Sequence, residues 1–124
     1  MPTLSTVGKR YQLGRRPEDG RVVATVIPDH GRSYPLRRVV HHSPAGLEYG
    51  YGGSGPADLA LSILVDLLGE DRAWHHYQAV KWRFIVSLDA RSEHTLDGDQ
   101  VLAFCRQREQ HDRPGSWGQA EEEL

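Results

Sequence analysis

The run Pro56–Leu68 constrains this chain more than any other stretch. Leu59, Leu61, Ile63, Leu64, Val65, Leu67 and Leu68 cover most of a helical circumference, and Asp58, Ser62 and Asp66 fall at i, i+4 and i+8 on one narrow stripe. A helix apolar on most faces packs on several sides at once, so this segment reads as the central core helix. It is too short to cross a bilayer, which takes about 20 apolar residues. Just upstream, Gly52, Gly53 and Gly55 flank Ser54 and permit a sharp reversal. Pro56 suits the first helical position, which makes Gly55 the expected N-cap. The Asp58 carboxylate then sits where it can reach back to the Gly55 N–H, and Gly69 supplies the stop. The polar stripe reads as a solvated face.

The halves on either side of this helix follow different periods. Upstream, 9–13, 21–27, 36–42 and 47–51 are short and partly β-branched, and composition places turns between them, so they read as three or four antiparallel strands. Downstream, Trp74, Tyr77, Phe84, Ile85 and Leu88 recur at helical spacing and predict one amphipathic helix over about 72–87. Residues 89–95 read as a polar connection. Asp97-Gly-Asp-Gln100 has capping-box form ahead of a third helix over 98–110. The fold class is therefore α+β: a small N-terminal antiparallel sheet packed on two or three C-terminal helices. Residues 1–110 are expected to form one domain, and 111–124, with Glu121–Glu123, a disordered acidic tail.

Charge divides the chain as well. Residues 1–42 hold eight basic and three acidic side chains, and the remainder hold seven and fourteen. Arg15, Arg16, Arg37 and Arg38, joined by Arg10 and Arg21, could gather on one sheet face. Tyr11 and Tyr34 stand near for base stacking, the pattern of a nucleic-acid-binding module. The overall pI near 6.4 argues against it. Tyr49, Tyr51, Trp82 and Trp117 are aromatic contact groups of the kind enriched at interfaces, and Tyr49 and Tyr51 would share a face of one strand. Cys105 is the single cysteine and falls on an apolar helical position, which suits a small core residue in a reducing cytoplasm.

Enzymatic readings find little support. Gly50, Gly52 and Gly55 fit a dinucleotide-type glycine pattern, but a helix rather than a strand follows the next turn. A phosphate loop would need lysine and serine or threonine where Pro56 and Ala57 stand. Asp58 and Asp66 lie two turns apart, about 12 Å of rise, too far for a glycosidase pair. His41–His42 and His75–His76 lack the i, i+4 spacing of a helical metal pair. No catalytic residue, metal or cofactor is expected.

The run Leu47–Leu64, LEYGYGGSGPADLALSIL, resembles the signature of an uncharacterised family, domain of unknown function 6166. His42–Gly46 and the Tyr77, Lys81 and Phe84 spacing fit the same pattern, so the resemblance covers roughly 36–88, with weaker support to 110. Tyr49 occupies the usual aromatic position before the motif, whereas the acidic tail looks peculiar to this chain. The resemblance implies a setting rather than a chemistry: small proteins of bacteria, archaea, phages and plasmids, which often act by binding a host protein. The leading expectation is a non-enzymatic binding module, such as an anti-defence, anti-CRISPR-like inhibitor of a host complex. Its expected contact residues are Tyr49, Tyr51, Arg15, Arg16, Arg37 and Arg38, with Gly52, Gly53, Ser54, Gly55, Pro56 and Asp58 as a structural motif. The alternatives are a nucleic-acid-binding module using the arginine-rich strands, and an enzyme of unknown class.

Overall fold

The computed structural model describes residues 6–43 and 45–111. In chain order the elements are β1 (Arg10–Arg15), β2 (Val22–Ile27), β3 (Tyr34–Pro35), α1 (Ser54–Leu68) and α2 (Glu70–Val80), then a π-helical turn (Lys81–Ile85), β4 (His94–Asp97) and α3 (Gly98–His111). The four strands form one antiparallel sheet in the order β3-β2-β1-β4. The α+β class is as the sequence implies. The tail expected to be disordered lies outside the described residues, except that His111 ends α3.

Alternation sorts the sheet residues by face. Tyr11 pairs with Val26 and Leu96, and Leu13 pairs with Ala24. All five are buried and join Leu59, Ala60, Leu61, Ile63 and Leu64 of α1 in one core, which Ala73, Val80, Ile85, Val101 and Cys105 complete. Arg10 and Gln12 face the other way and are exposed. α1 is thus the central helix that its composition demands, and it turns directly into α2 at Gly69.

Two expected strands are absent from the sheet. Residues 36–42 include the β-branched Val39 and Val40, but beyond Leu36 the N–H groups of Val39, His41 and His42 go to α1 instead of to a neighbouring strand. Leu36 N–H makes a last sheet bond to the Ala24 carbonyl (2.9 Å), and Val39 N–H then donates to Ser62 Oγ (2.9 Å). His41, His42 and Ser43 N–H all donate to the Asp58 carboxylate at 2.8–3.1 Å. Residues 47–51 are likewise not a strand. Gly50 has φ +93° and donates to the Ile85 carbonyl, a bond made with a helix end. The fourth strand comes instead from His94–Asp97, within the stretch read as a polar connection. Only Leu96 of its four residues is buried, so pairing with β1 creates this strand and intrinsic propensity does not.

The polar stripe of α1 also differs from expectation. Asp58 and Ser62 are fully buried, and α1 begins at Ser54 with Gly53 as N-cap and no side-chain cap. Asp58 therefore does not bond back to Gly55; it gathers loop amides. Two turns on, Asp66 accepts from Lys9 Nζ (3.1 Å), Tyr11 OH (2.7 Å) and Tyr34 OH (2.7 Å). Burial and the neighbouring carboxylate push the Tyr11 hydroxyl far above its usual range, so it remains a donor.

The second helix departs from a single 72–87 span. The inward residues of α2 are Ala73, His76 and Val80, whereas Trp74 is 42% exposed. The buried imidazole of His76 bridges α2 to α3: Nε2 lies 2.8 Å from Glu109 and Nδ1 lies 2.6 Å from Arg108. Nδ1 accepts from the guanidinium, so Nε2 carries the proton that Glu109 accepts. Arg72 closes the cluster with a bidentate pair to Glu109 (both 2.8 Å).

Two tests follow from these contacts. Asp58→Ala strips a buried acceptor from three backbone donors and should lower stability by about 3–5 kcal/mol. An unchanged urea midpoint would show that those amides are satisfied without it. The second concerns acid. Burial lowers the His76 pKa from 6.5, and the Arg72 and His76 contacts hold Glu109 down to about 2 against an ordinary 4.5. Both groups bind fewer protons when folded, so their contribution is complete above pH 6.5 and falls with pH. The Glu109 share is lost from 4.5 toward about 2. Urea midpoints across this range should decline in that order, and Glu109→Gln should flatten the lower limb.

Candidate binding surface

The glycine motif ends in two close approaches. A Cβ on Gly52 would stand 2.8 Å from the Trp82 ring, and one on Gly53 would stand 2.5 Å from the Tyr51 ring. Both distances are shorter than real Cβ atoms show, so the two glycines leave room for two aromatic rings to lie against backbone. Those rings are not core residues: Tyr51 is 50% exposed and Trp82 is 60% exposed. Trp82 rides on the π-helical turn, where Val86 N–H reaches the Lys81 carbonyl five residues back (3.0 Å). Single π turns of this kind are frequent at functional sites. The Lys81 ammonium lies 4.7 Å from the Trp82 ring centroid, and the Arg83 guanidinium stands 4.9 Å over Phe84. Two half-exposed rings held on a glycine step, with the largely buried Lys81 beside Trp82, form the candidate site.

The residues expected at a binding surface are distributed differently. Tyr49 and Tyr51 do not share a face. Tyr49 is 1% exposed and donates to the Ser92 carbonyl (2.9 Å), so the outward role falls to Tyr51. Arg15 works inside the fold. It pairs with Glu48 through two bonds (2.7 and 3.2 Å), donates to the Ala90 and Gly20 carbonyls, and covers the Tyr49 ring at 4.8 Å. Arg16 pairs with Asp19 (3.3 Å) and Glu18 (3.7 Å) at the β1–β2 turn. Arg37 and Arg38 are exposed, and Arg38 donates to the Ser43 carbonyl (2.8 Å). Tyr11 is fully buried and unavailable for stacking, while Tyr34 keeps 37% exposure with its hydroxyl on Asp66. Ser54, Gly55, Pro56 and Asp58 all lie in the first turns of α1.

A second aromatic group lies where the 36–43 arm meets α2. His41 stands 4.5 Å from Trp74 and 4.1 Å from His42 between ring centroids, and His42 Nε2 is 2.9 Å from Tyr77 OH. Here the rings pack on one another, while His41, His42 and Trp74 each remain exposed. Among the described residues no three His, Cys, Asp or Glu side chains converge as metal ligands.

The model of a family of unknown function, DUF6166, matches residues 12–107. The chain belongs to DUF6166. No curated protein and no solved structure matches it. The DUF6166 match runs from β1 into α3, a longer span than the motif-centred 36–88 that the sequence resemblance marks, and it takes in both Tyr51 and Trp82. The outward role of Trp82 is only half legible in sequence: its position on the flank of a helical face is readable, but the π turn that carries it has no sequence signal. Trp117 lies outside the described residues.

In this DUF6166 protein Gly52→Ala should push the Trp82 ring off the backbone. The indole N–H cross-peak of Trp82, assigned by comparison with Trp82→Phe, should shift and broaden, and stability should fall by about 1–3 kcal/mol from overpacking. An unmoved cross-peak would show that the ring does not need the glycine.

Proposed function

We propose that this protein is a non-enzymatic binding module that docks a host protein through the surface around Tyr51 and Trp82. The carrying observation is the pair of half-exposed rings seated on Gly52 and Gly53. Exposed aromatic side chains are strongly enriched as interface anchors, and rings already held in place lose little entropy on binding. Groups that could serve chemistry are instead committed to structure. Asp58 and Asp66 are saturated by donors from the N-terminal half, and burial pushes the Cys105 thiol up to about 11, which suppresses the nucleophilic thiolate at neutral pH. The family resemblance supplies the setting, a phage- or plasmid-borne regulator or inhibitor of a host complex such as a defence nuclease.

The nucleic-acid reading keeps one favouring observation. Tyr51 and Trp82 offer exposed ring faces on which bases stack, and the exposed Arg83 follows Trp82 in the chain, although Lys81 is itself buried. The arginine-rich strands favour it less, because Arg15 and Arg16 are already paired.

Affinity capture from host lysate, with wild type and a Tyr51→Ala/Trp82→Ala double variant in parallel, tests the proposal. A stoichiometric protein partner retained by wild type and lost by the folded double variant is the expected result. A partner retained equally by both moves the interface elsewhere. Fluorescence polarisation with single-stranded DNA and RNA at low salt is run on the same proteins. Tight oligonucleotide binding, lost in the double variant and without a captured protein, transfers the surface to the nucleic-acid reading.

A further inference from the structure

Apart from the aromatic surface, the sheet has a cleft at the end of β3. β3 pairs only with Thr25 and Val26, and the Leu36–Ala24 bond is its last contact with the sheet. The chain then departs toward α1, and residues 45–48 return beside β2, held by the Arg15–Glu48 pair. Between the departing and returning arms a cleft of about 300 Å³ remains, opposite the first half of β2. Val22, Ala24, Leu36 and Leu47 give it an apolar wall, and Arg21 and Arg38 stand in its lining. Its volume lies at the lower end of small-molecule sites, which run to about 1,000 Å³.

Charge decides what such a cleft would accept. Glu48 also lines it, but its carboxylate is occupied by Arg15, 2.7 Å away. Arg21 is exposed, and among the described residues no carboxylate pairs with it. Arg38 donates to the Ser43 carbonyl and also lines the cleft. The lining therefore holds a compensated acid, the exposed Arg21 cation and the Arg38 guanidinium beside an apolar wall. Residues two apart on a strand turn their backbone groups to the same edge. The Val22 N–H and C=O thus face the side on which Ala24 meets Leu36, which is the side of the cleft.

We propose that this cleft binds a small molecule with one acidic head and an apolar body, the head engaged by Arg21 and Arg38 and the body lying along Val22, Leu36 and Leu47. A carboxylate and a phosphate monoester share the required head chemistry, because guanidinium groups take both through paired N–H···O bonds. The site is independent of the Tyr51–Trp82 surface, so either proposal can fail without the other.

The test titrates octanoate, octyl phosphate, octanol and octylammonium against the isotope-labelled full chain and follows methyl resonances. Octanoate, octyl phosphate or both should saturably shift Val22, Leu36 and Leu47 signals, and the stronger of the two identifies the head group. Octanol and octylammonium should shift them far less. Arg21→Gln, an exposed substitution, should weaken binding by about tenfold. Ala45→Phe, placed to fill the cleft, should abolish it while leaving the remaining spectrum folded. Comparable shifts with octanol or octylammonium would overturn the charge argument. Shifts centred outside the cleft, an unaltered affinity in Ala45→Phe, or no shift with either acid at millimolar concentration would overturn the site.

Discussion

The buried carboxylate of Asp58 is the interaction on which the N-terminal half depends. A loop that leaves a sheet carries backbone donors that must be satisfied somewhere, and burying three of them without a partner would cost several kcal/mol in all. In this chain one side chain of the core helix accepts His41, His42 and Ser43 together, one turn from Ser62, which takes Val39. Asp66 repeats the arrangement with side-chain donors from Lys9, just before β1, from Tyr11 of β1 and from Tyr34 of β3. Three residues at helical spacing thereby fasten the arm and two strands to one helix. Among the described residues no buried side-chain nitrogen or oxygen lacks a hydrogen-bond partner.

Where periodicity and punctuation carry the information, the fold was legible in the sequence. The apolar run of α1, the strands β1 and β2, the helix after Asp97 and the α+β class are all readable from pattern alone. The failures share a cause: they occur where partners, rather than local pattern, decide the conformation. Residues 36–42 look like a strand but find a helix carboxylate; residues 94–97 look like a connection but find the edge of β1. The α1 stripe looks solvated because aspartate usually is, and its burial depends on donors arriving from distant segments. Trp74 falls at the helical spacing of the apolar face, yet the smaller Ala73 and the paired His76 take the inward positions.

The candidate site was legible only in part. Tyr51 and the glycines could be singled out, whereas Tyr49 and Arg15 proved to be each other's packing partners inside the fold. Glycine at 52 and 53 reads most simply as a turn, and the turn is there. Its fuller physical role is spatial: absent side chains become seats for two rings, one of which arrives from a turn thirty residues downstream. Such complementarity between a missing atom and a distant aromatic group is invisible to any local reading.

The late position of β4 bears on how the chain assembles as it is made. β1 emerges first, yet one of its two neighbours is residues 94–97, and Asp99 ties down the Val7 amide across 92 positions of sequence. Until that segment arrives, the Arg10–Leu13 edge has its hydrogen-bonding groups open to water or to another chain. The sheet is therefore a clasp whose first half waits for almost the whole described chain, and α3 follows β4 without a loop to shut it. Synthesis of this protein should favour post-translational closure over stepwise folding, with the growing chain most vulnerable to wrong strand pairing just before its fourth strand appears.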